Sequence, residues 1–420
     1  MCDLRSSGNP RRPSFSLEKD MTMRCAAGLA LALAAIPAAG LAQTTAEDTG
    51  ARVLFEARLR SETVNQQGFA DQAHALTLRG RLGWRSQAAH GLQVLIEGEG
   101  VAVLDDRYSA PTDPVPGRPS VADGDTVELN RAQVRWTGLP ETEFTVGRQR
   151  LVVGNGRFVG NSGWRQNEQT FDAVRLATTA LTPVTLTYVY ADRVQRPLGH
   201  AHAQGVWRGD IHLLQAETNT PWGRLGAFGL AIDLDSAAAQ SSTTLGARLA
   251  GSRPLADDLT LTWAGDYAIQ RDNGANPADS SLDFLAVTVG LKTPRWSTDL
   301  GYERLDGDGV SAFQTPLGSG HAYLGWSDVI GATPAFGVRD RFVRGAVNVP
   351  AMGRTLRLAA EAHAFDGADG AFALGRELNF SASLPLNAHW SVEAQAARFE
   401  ADHPAFADTD KGWLILEYRY

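Results

Sequence analysis

Arginine, asparagine and glutamine side chains are concentrated between Thr145 and Leu176. Within this stretch, residues 153–169 carry arginines, amides and aromatic residues instead of plain turn residues. A guanidinium group binds carboxylates and phosphates through two parallel hydrogen bonds, and a long loop with its own polar network is often functional. The stretch therefore predicts an anion-binding loop. The alternative is that its polar residues only brace a folded loop against a wall.

Charge and composition limit the classes of partner. The formal net charge of −8 gives no electrostatic support for a nucleic-acid partner. Lysine occurs only at Lys19, Lys292 and Lys411, so nearly all positive charge is carried by arginine. A GC-rich genome and a need for two-pronged anion binding explain this bias equally well.

The start of the chain has the pattern of a targeting segment. A basic Met21–Arg24 is followed by an apolar run from Ala26 to Ile36 and by small residues that end at Ala42. We predict an extension from a wrongly chosen start codon over residues 1–20, a signal peptide over 21–42 and a mature domain over 43–420. Both cysteines, Cys2 and Cys25, fall in the removed part, which excludes disulfides and thiolate chemistry from the mature chain.

The elements that must position the polar stretch are β-strands, because apolar and polar residues alternate with a period of two after residue 50. Between His74 and Arg85, leucines and Trp84 alternate with Thr77 and three arginines. One such strand fits a soluble sandwich as well as a membrane barrel, but a long series favours the barrel. The pattern predicts strands near 52–61, 73–87, 91–104, 125–138, 142–152, 170–179, 183–193, 207–218, 223–234, 242–253, 259–270, 280–292, 296–304, 337–349, 354–365, 373–384, 389–400 and 410–420.

The connections alternate between tight turns and longer loops, including 105–124, 153–169, 194–206 and 305–336. This rhythm is typical of bacterial outer-membrane barrels with short periplasmic turns. In lipid every backbone donor and acceptor needs a partner, so the sheet must close. We therefore predict an all-β fold, a single-domain transmembrane antiparallel β-barrel of about 18 strands, with an aqueous lumen that is open or occluded by loops. Aromatic residues near strand ends predict interfacial girdles: Trp84, Trp136, Trp222, Trp296, Trp390, Trp413 and Tyr418.

The polar stretch resembles the signature of the alginate export family of outer-membrane barrels. The pieces that carry the resemblance are Gly147-Arg148-Gln149, Arg157-Phe158-Val159-Gly160-Asn161 and the run from Trp164 to Ala173. The resemblance implies an 18-stranded barrel that exports a polyuronate through an electropositive lumen. It also implies a constriction where the third long loop enters the pore, formed by Arg148, Arg157, Arg165, Asn161, Gln166, Asn167, Glu168 and Asp172. Arg148 lies two and four positions after Val146 and Phe144, so strand alternation places it on the same lipid-facing side. We therefore expect a bulge there or a strand that has left the hydrocarbon zone.

The chain departs from the exporter pattern in having only short predicted periplasmic turns, without a long gating loop, and in a shorter barrel. A general or uptake porin for small organic anions is therefore the rival to polysaccharide export.

Alternation also places charges of both signs on the inner face of the barrel. Arg79, Arg81, Arg131 and Arg135 are included in the predicted pore site for this reason. The alternative is that such charges pair across neighbouring strands and leave a nearly neutral wall. The further members are Arg58, Arg60, Arg175, Arg248 and Arg357, with Glu97, Glu99, Glu128, Asp266, Glu303, Glu361 and Glu393.

Other chemistry has weak support. His200 and His202 lack a nearby carboxylate for a metal site, and Asp306–Gly309 lacks the distal glutamate of a calcium loop. No nucleophile elbow is present, and Ser319 with His321 matches no known motif. We predict a passive outer-membrane channel, not an enzyme, with no cofactor and no metal. Its expected partners are outer-membrane lipid, the barrel assembly machinery and an anionic saccharide or organic anion, and we expect a monomer. A non-conducting adhesion or scaffold barrel is the alternative of another class.

Overall fold

The computed structural model describes residues 50–420. The predicted N-terminal extension (1–20) and signal peptide (21–42) lie outside the described residues. Eighteen antiparallel strands form one sheet, which closes because the first strand pairs with both the second and the last. The predicted all-β, 18-stranded barrel is confirmed. Among the described residues, no helix is long and apolar enough to cross a membrane.

Each predicted strand has its counterpart, and most boundaries differ by only a few residues. The strands are Arg52–Gln66 (β1), Ala73–Arg85 (β2), Leu92–Arg107 (β3), Thr126–Leu139 (β4), Thr142–Gln149 (β5), Thr170–Leu181 (β6), Val184–Gln195 (β7), Val206–Thr220 (β8), Gly223–Leu234 (β9), Ser242–Ala256 (β10), Leu259–Asp272 (β11), Ser281–Lys292 (β12), Trp296–Leu305 (β13), Val338–Ala351 (β14), Arg354–Asp366 (β15), Ala373–Pro385 (β16), Trp390–Ala401 (β17) and Thr409–Arg419 (β18).

Side-chain exposure along the strands is the inverse of that in a soluble sheet. In β2, Leu82 and Trp84 are exposed, whereas Arg79 and Arg81 are buried. The arginines face the lumen and the apolar side chains face outward, as a lipid environment requires. Because the side-chain period is two, a slip of one residue would place every arginine of the strand in lipid, so this patterning holds the register.

The two ends of the barrel differ in their connections. At one end, the turn end, strands are joined by two to six residues. Between β14 and β15 the whole connection is Met352 and Gly353, both with the positive φ that a two-residue hairpin favours. At the other end, the loop end, the two longest connections are residues 150–169 (L3) and 306–337 (L7). The predicted alternation of turns and loops is confirmed.

L3 and L7 pack inside the barrel and against each other. Phe158 of L3 lies 4.8 Å from Phe228 of β9 and 5.3 Å from Phe284 of β12, measured between ring centroids. The Gly160 N–H of L3 donates to the Leu317 carbonyl of L7 over 2.9 Å. The main apolar core of the described chain therefore forms around the two loops within the lumen. Trp413 belongs to the same interior: it is buried beside Trp164 of L3, so its predicted place in an outer girdle is wrong.

Candidate functional site

L3 is held to the wall of β1 by two arginines. Arg58 and Arg60 alternate along β1 and both face the lumen because the outward positions of this strand are apolar. Arg58 donates to the carbonyl oxygens of Gly163 and Trp164 over 3.1 and 3.2 Å, and Arg60 donates to that of Trp164 over 2.7 Å. Buried carbonyls in this part of L3 thus acquire partners.

Glu168 is the centre of the polar network that fixes the end of L3. Its carboxylate accepts hydrogen bonds from Asn130 over 2.7 Å, from Asn161 over 2.8 Å and from Arg150 Nε over 2.8 Å. Burial alone would raise the pKa of Glu168, but the charges of Arg81 and Arg150 with these hydrogen bonds lower it to about 2. Glu168 and Asn161 therefore brace L3 and are already occupied by protein partners.

Gln166 and Asn167 are likewise buried parts of the brace. The Gln166 backbone N–H donates to Asp123 over 3.0 Å, and its side-chain amide donates to the Thr77 hydroxyl over 2.8 Å. The Asn167 amide lies 3.4 Å from the carbonyl oxygens of Arg196 and Pro197. L3 thereby contacts both the β2 wall and the connection after β7.

Arg157 extends from L3 to the opposite wall. Its Nε and Nη2 donate to one Glu303 oxygen of β13 over 3.0 and 2.5 Å, and Nη1 donates to the Thr315 hydroxyl of L7 over 2.8 Å. The guanidinium also lies 4.8 Å from the ring centroid of Tyr323. The side chain is almost fully buried, so Arg157 joins L3, L7 and the wall.

Arg165 of L3 is more accessible than Arg157. Its Nη2 lies 2.9 Å from Asp328 Oδ2 of L7, and its side chain lines a cavity at the loop end. Of the L3 arginines that the sequence predicted, Arg165 is thus the one that combines partial exposure with contact to a solvent-filled space.

Arg148 and Asp172 lie outside the lumen, contrary to the constriction role that the family resemblance implied. Their register continues that of the exposed Val146 and Val174, which face outward, and they pair with each other over 2.6 Å. The β4–β5 register runs through Arg148 without a bulge, and the residue lies next to the last of β5. The second expectation for Arg148, a strand close to leaving the hydrocarbon zone, fits this position.

The predicted wall arginines face the lumen and are mostly neutralised there. Arg79 is fully buried beside Glu56 and Glu417, and Arg81 pairs with Glu99. Arg131 donates to both oxygens of Glu97 over 2.9 and 2.6 Å, and Arg135 lies 2.5 Å from Glu143. Cross-strand pairing therefore makes the β1–β3 wall nearly neutral, whereas Arg135 remains partly exposed.

Neighbouring residues of L3 line two different cavities. A cavity of about 670 Å³ toward the turn end is lined by Phe158 and Val159, and one of about 870 Å³ toward the loop end is lined by Arg157 and Arg165. L3 thus lies between them. The first cavity is lined by five arginines and three carboxylates, namely Arg135, Arg150, Arg175, Arg224, Arg248, Glu143, Glu217 and Asp266. The second is lined by three arginines and one carboxylate, namely Arg157, Arg165, Arg196 and Asp328.

Sequence reasoning did not include several of these lining residues in the site. Strand parity predicted a lumenal Arg175 and Arg248 without placing them beside L3, and the same parity argument extends to Arg224 of β9. Arg196, which stacks over Trp207 at 3.8 Å, lies in a loop without a period, so strand alternation does not mark it. Within residues 50–420, no group of three or more histidine, cysteine or acidic side chains is arranged to hold a metal, and His200 instead contacts Glu128 over 2.8 Å.

A closed 18-stranded antiparallel barrel with long loops folded into a polar lumen is the architecture of outer-membrane porins. OccK9 (OpdG) from Pseudomonas aeruginosa has 17% sequence identity and a TM-score of 0.66, covering 88% of this chain and 98% of that chain. OpdK from the same organism, solved with vanillate, has 15% identity and a TM-score of 0.67, covering 88% and 98%. OccK2 (OpdF), in complex with glucuronate, has 15% identity and a TM-score of 0.65, covering 87% and 97%. These likenesses concern the fold.

The family follows from the sequence itself. The sequence model of the alginate export family matches residues 52–333, and the chain belongs to this family. The resemblance carried by the stretch from Gly147 to Ala173 is thereby confirmed. No curated protein sequence matches the chain.

Proposed function

We propose that this chain forms a passive outer-membrane channel for the uptake of small organic anions, sugar acids and related carboxylates among them. The observation that carries the proposal is the excess of arginine over carboxylate in both lumenal cavities, five against three and three against one. This excess occurs in a chain whose formal net charge is −8. Glu168 and Glu303, which do not line the cavities, neutralise Arg150 and Arg157, and one arginine then remains in excess in each cavity. The route that a solute would take therefore carries net positive charge.

Such a lumen favours anions for two physical reasons. A narrow cleft of one sign with low-dielectric walls focuses the field and raises the local concentration of ions of the opposite sign. Arginine also binds a carboxylate through two hydrogen bonds in a fixed geometry. Arg135 and Arg224 keep side-chain exposures of 43% and 58%, so they remain accessible to a passing solute despite their glutamate partners.

The size of the cavities favours small molecules over a polymer. Docking of L3 on L7 leaves cavities of about 670 and 870 Å³ beside L3, within the usual range of about 300–1,000 Å³ for small-molecule sites. Among proteins of the same fold, OpdK was solved with vanillate and OccK2 in complex with glucuronate. Both ligands are small carboxylates. Polysaccharide export, the function that the family resemblance implied, therefore gives way to uptake of small organic anions.

The proposed orientation places the turn end in the periplasm and the loop end outside the cell. β1 begins and β18 finishes at the turn end, which agrees with a mature chain delivered from the periplasm. Signal-peptide cleavage after Ala42, handling by the barrel assembly machinery and a monomeric state remain predictions. Passage through the lumen needs no covalent chemistry, so the proposal includes no enzymatic step.

The test is ion selectivity in a planar bilayer, using protein purified from outer membranes. Under a salt gradient, we expect open steps with a reversal potential that reports anion preference, reduced when glucuronate is added. Replacing Arg135, Arg175 and Arg224 together by glutamine should reduce the preference, while Arg107→Gln at the loop-end rim serves as the control. An unchanged reversal potential in the triple variant would contradict the proposal. Block by uronate oligomers but not by glucuronate would restore the polysaccharide function.

A further inference from the structure

A protein carboxylate occupies an anion-binding position of the loop-end cavity. Asp328 Oδ2 lies 2.9 Å from Arg165 Nη2 of L3 and 3.2 Å from His321 Nδ1 of L7. Two nitrogen donors thus converge on one oxygen, as they would on the carboxylate of an organic acid. All three side chains line the cavity of about 870 Å³.

The donors are framed by flat aromatic surfaces. The His321 ring stacks on the Trp164 indole with a centroid distance of 4.0 Å and an interplanar angle of 1°. Trp413 meets Trp164 edge-on at 5.6 Å, and the Arg60 guanidinium lies 5.2 Å from the Trp164 centroid. These contacts hold Trp164 and His321 in place, and both residues line the cavity beside the two nitrogen donors.

A further cation faces the same cavity without a protein anion. Arg196 lies over the Trp207 ring and donates to the Gln204 carbonyl over 3.3 Å, and it forms no ion pair with a carboxylate in the described part of the chain. A solute with a carboxylate at one end and hydroxyl groups at the other would therefore meet donors from different loops of the same cavity.

Asp328 itself is held in an uncommon backbone conformation. Its φ is +53°, in the left-handed region that non-glycine residues rarely adopt and that surrounding contacts must maintain. Burial alone would raise the pKa of Asp328, but the charges of Arg165 and His321 hold it well below its usual range. Its carboxylate is therefore ionised, like that of an organic acid at neutral pH.

We propose that Arg165 and His321 form a subsite for the carboxylate of an organic acid, and that Asp328 occupies this subsite until the solute displaces it. The inference rests on the proposed uptake of organic anions and names the position at which they bind. Exchange of one carboxylate for another keeps both donors paired. The displaced Asp328 carboxylate turns into the cavity that it already lines, where water replaces its two partners, so no buried charge is left unpaired. Departure of Asp328 also removes a contact between L3 and L7, and solute binding thereby loosens the constriction.

The experiment measures glucuronate binding to the full-length protein in detergent micelles by titration calorimetry, with glucose as the neutral comparison. Asp328→Asn removes the competing charge at almost constant volume, and we expect glucuronate to bind at least tenfold more tightly. Arg165→Gln should weaken binding at least tenfold, and Asp328→Asn should have no further effect in the Arg165→Gln background. Asp306→Asn is the matched control, since Asp306 lies in L7 but pairs with Arg304 away from this cavity.

The outcomes separate this inference from the proposed function. Heat-modifiable gel mobility reports whether each variant forms the barrel, so a folding defect is recognised directly. Equal or weaker binding by folded Asp328→Asn, with an anion-selective wild type, overturns the inference and leaves the channel function standing. Tighter glucuronate binding by Asp328→Asn in a barrel without anion selectivity supports the subsite and overturns the channel function instead.

Discussion

Arg157 of L3 and Glu303 of β13 form a buried ion pair that joins the constriction loop to the wall opposite its origin. L3 begins after β5, so this contact spans the lumen. The Thr315 hydroxyl and the Tyr323 ring complete the surroundings of the guanidinium. The pair therefore sets the position of L3 and contributes little to solute binding.

Removal of one member of this pair should loosen L3 and leave the barrel intact. For Arg157→Gln we expect a local loss of about 3–5 kcal/mol, because Glu303 is left as an uncompensated buried charge. Single-channel recordings should show larger and noisier current steps. The double variant Arg157→Gln/Glu303→Gln should recover part of the low current noise of the wild type. Wild-type current noise in the single variant Arg157→Gln would contradict a bracing role.

The position of L3 should depend on pH through Glu168. The folded-state pKa of about 2 lies below the ordinary value of 4.5, so the stabilisation is fully present above pH 4.5 and is lost as pH falls toward 2. The shift corresponds to roughly 3 kcal/mol of docking free energy. Conductance recorded from pH 6 down to pH 2.5 should change in the lower part of this range. Glu168→Gln should remove most of that change, and an identical pH profile in this variant would show that other groups control it.

Opposite substitutions around Glu143 should move ion selectivity in opposite directions. Glu143 pairs with Arg135 over 2.5 Å and with Arg175 over 2.6 Å. Glu143→Gln leaves two arginines without their carboxylate and should increase the anion preference, whereas Arg135→Gln should decrease it. Each change should be about two- to fivefold, in keeping with partly exposed pairs worth up to about 1 kcal/mol. Reversal potentials that shift in the same direction for both variants would refute the assignment.

Replacement of Arg148 by glutamine should leave selectivity unchanged. Its side chain lies on the outer face, paired with Asp172, and does not line either lumenal cavity. The reversal potential of Arg148→Gln should therefore match that of the wild type, while Arg165→Gln shifts it. A loss of anion preference in Arg148→Gln would place this residue in the solute route after all.

The strands, their number and the face on which most side chains lie could be predicted from the sequence. Alternation is local: Leu82 and Trp84 identify the outer face of β2, and Arg79 and Arg81 the inner face, without knowledge of any distant residue. The same parity placed Arg148 outside, although the family resemblance suggested the constriction. Parity also separates Trp413 from the outward-facing Leu414, a distinction that its position near a strand end obscured.

Only the tertiary structure decided what the loops do. The contacts of Arg157 with Glu303, Arg165 with Asp328 and Trp164 with His321 join residues separated by more than 140 positions. Hairpin register follows from the hydrophobic pattern of adjacent strands, because each strand pairs with its neighbour along the chain and shares an outer face with it. L3 and L7 have no such period, and their place depends on closure of the barrel, which brings distant walls within reach of one side chain. The sequence therefore determined the barrel, and the closed barrel determined the constriction.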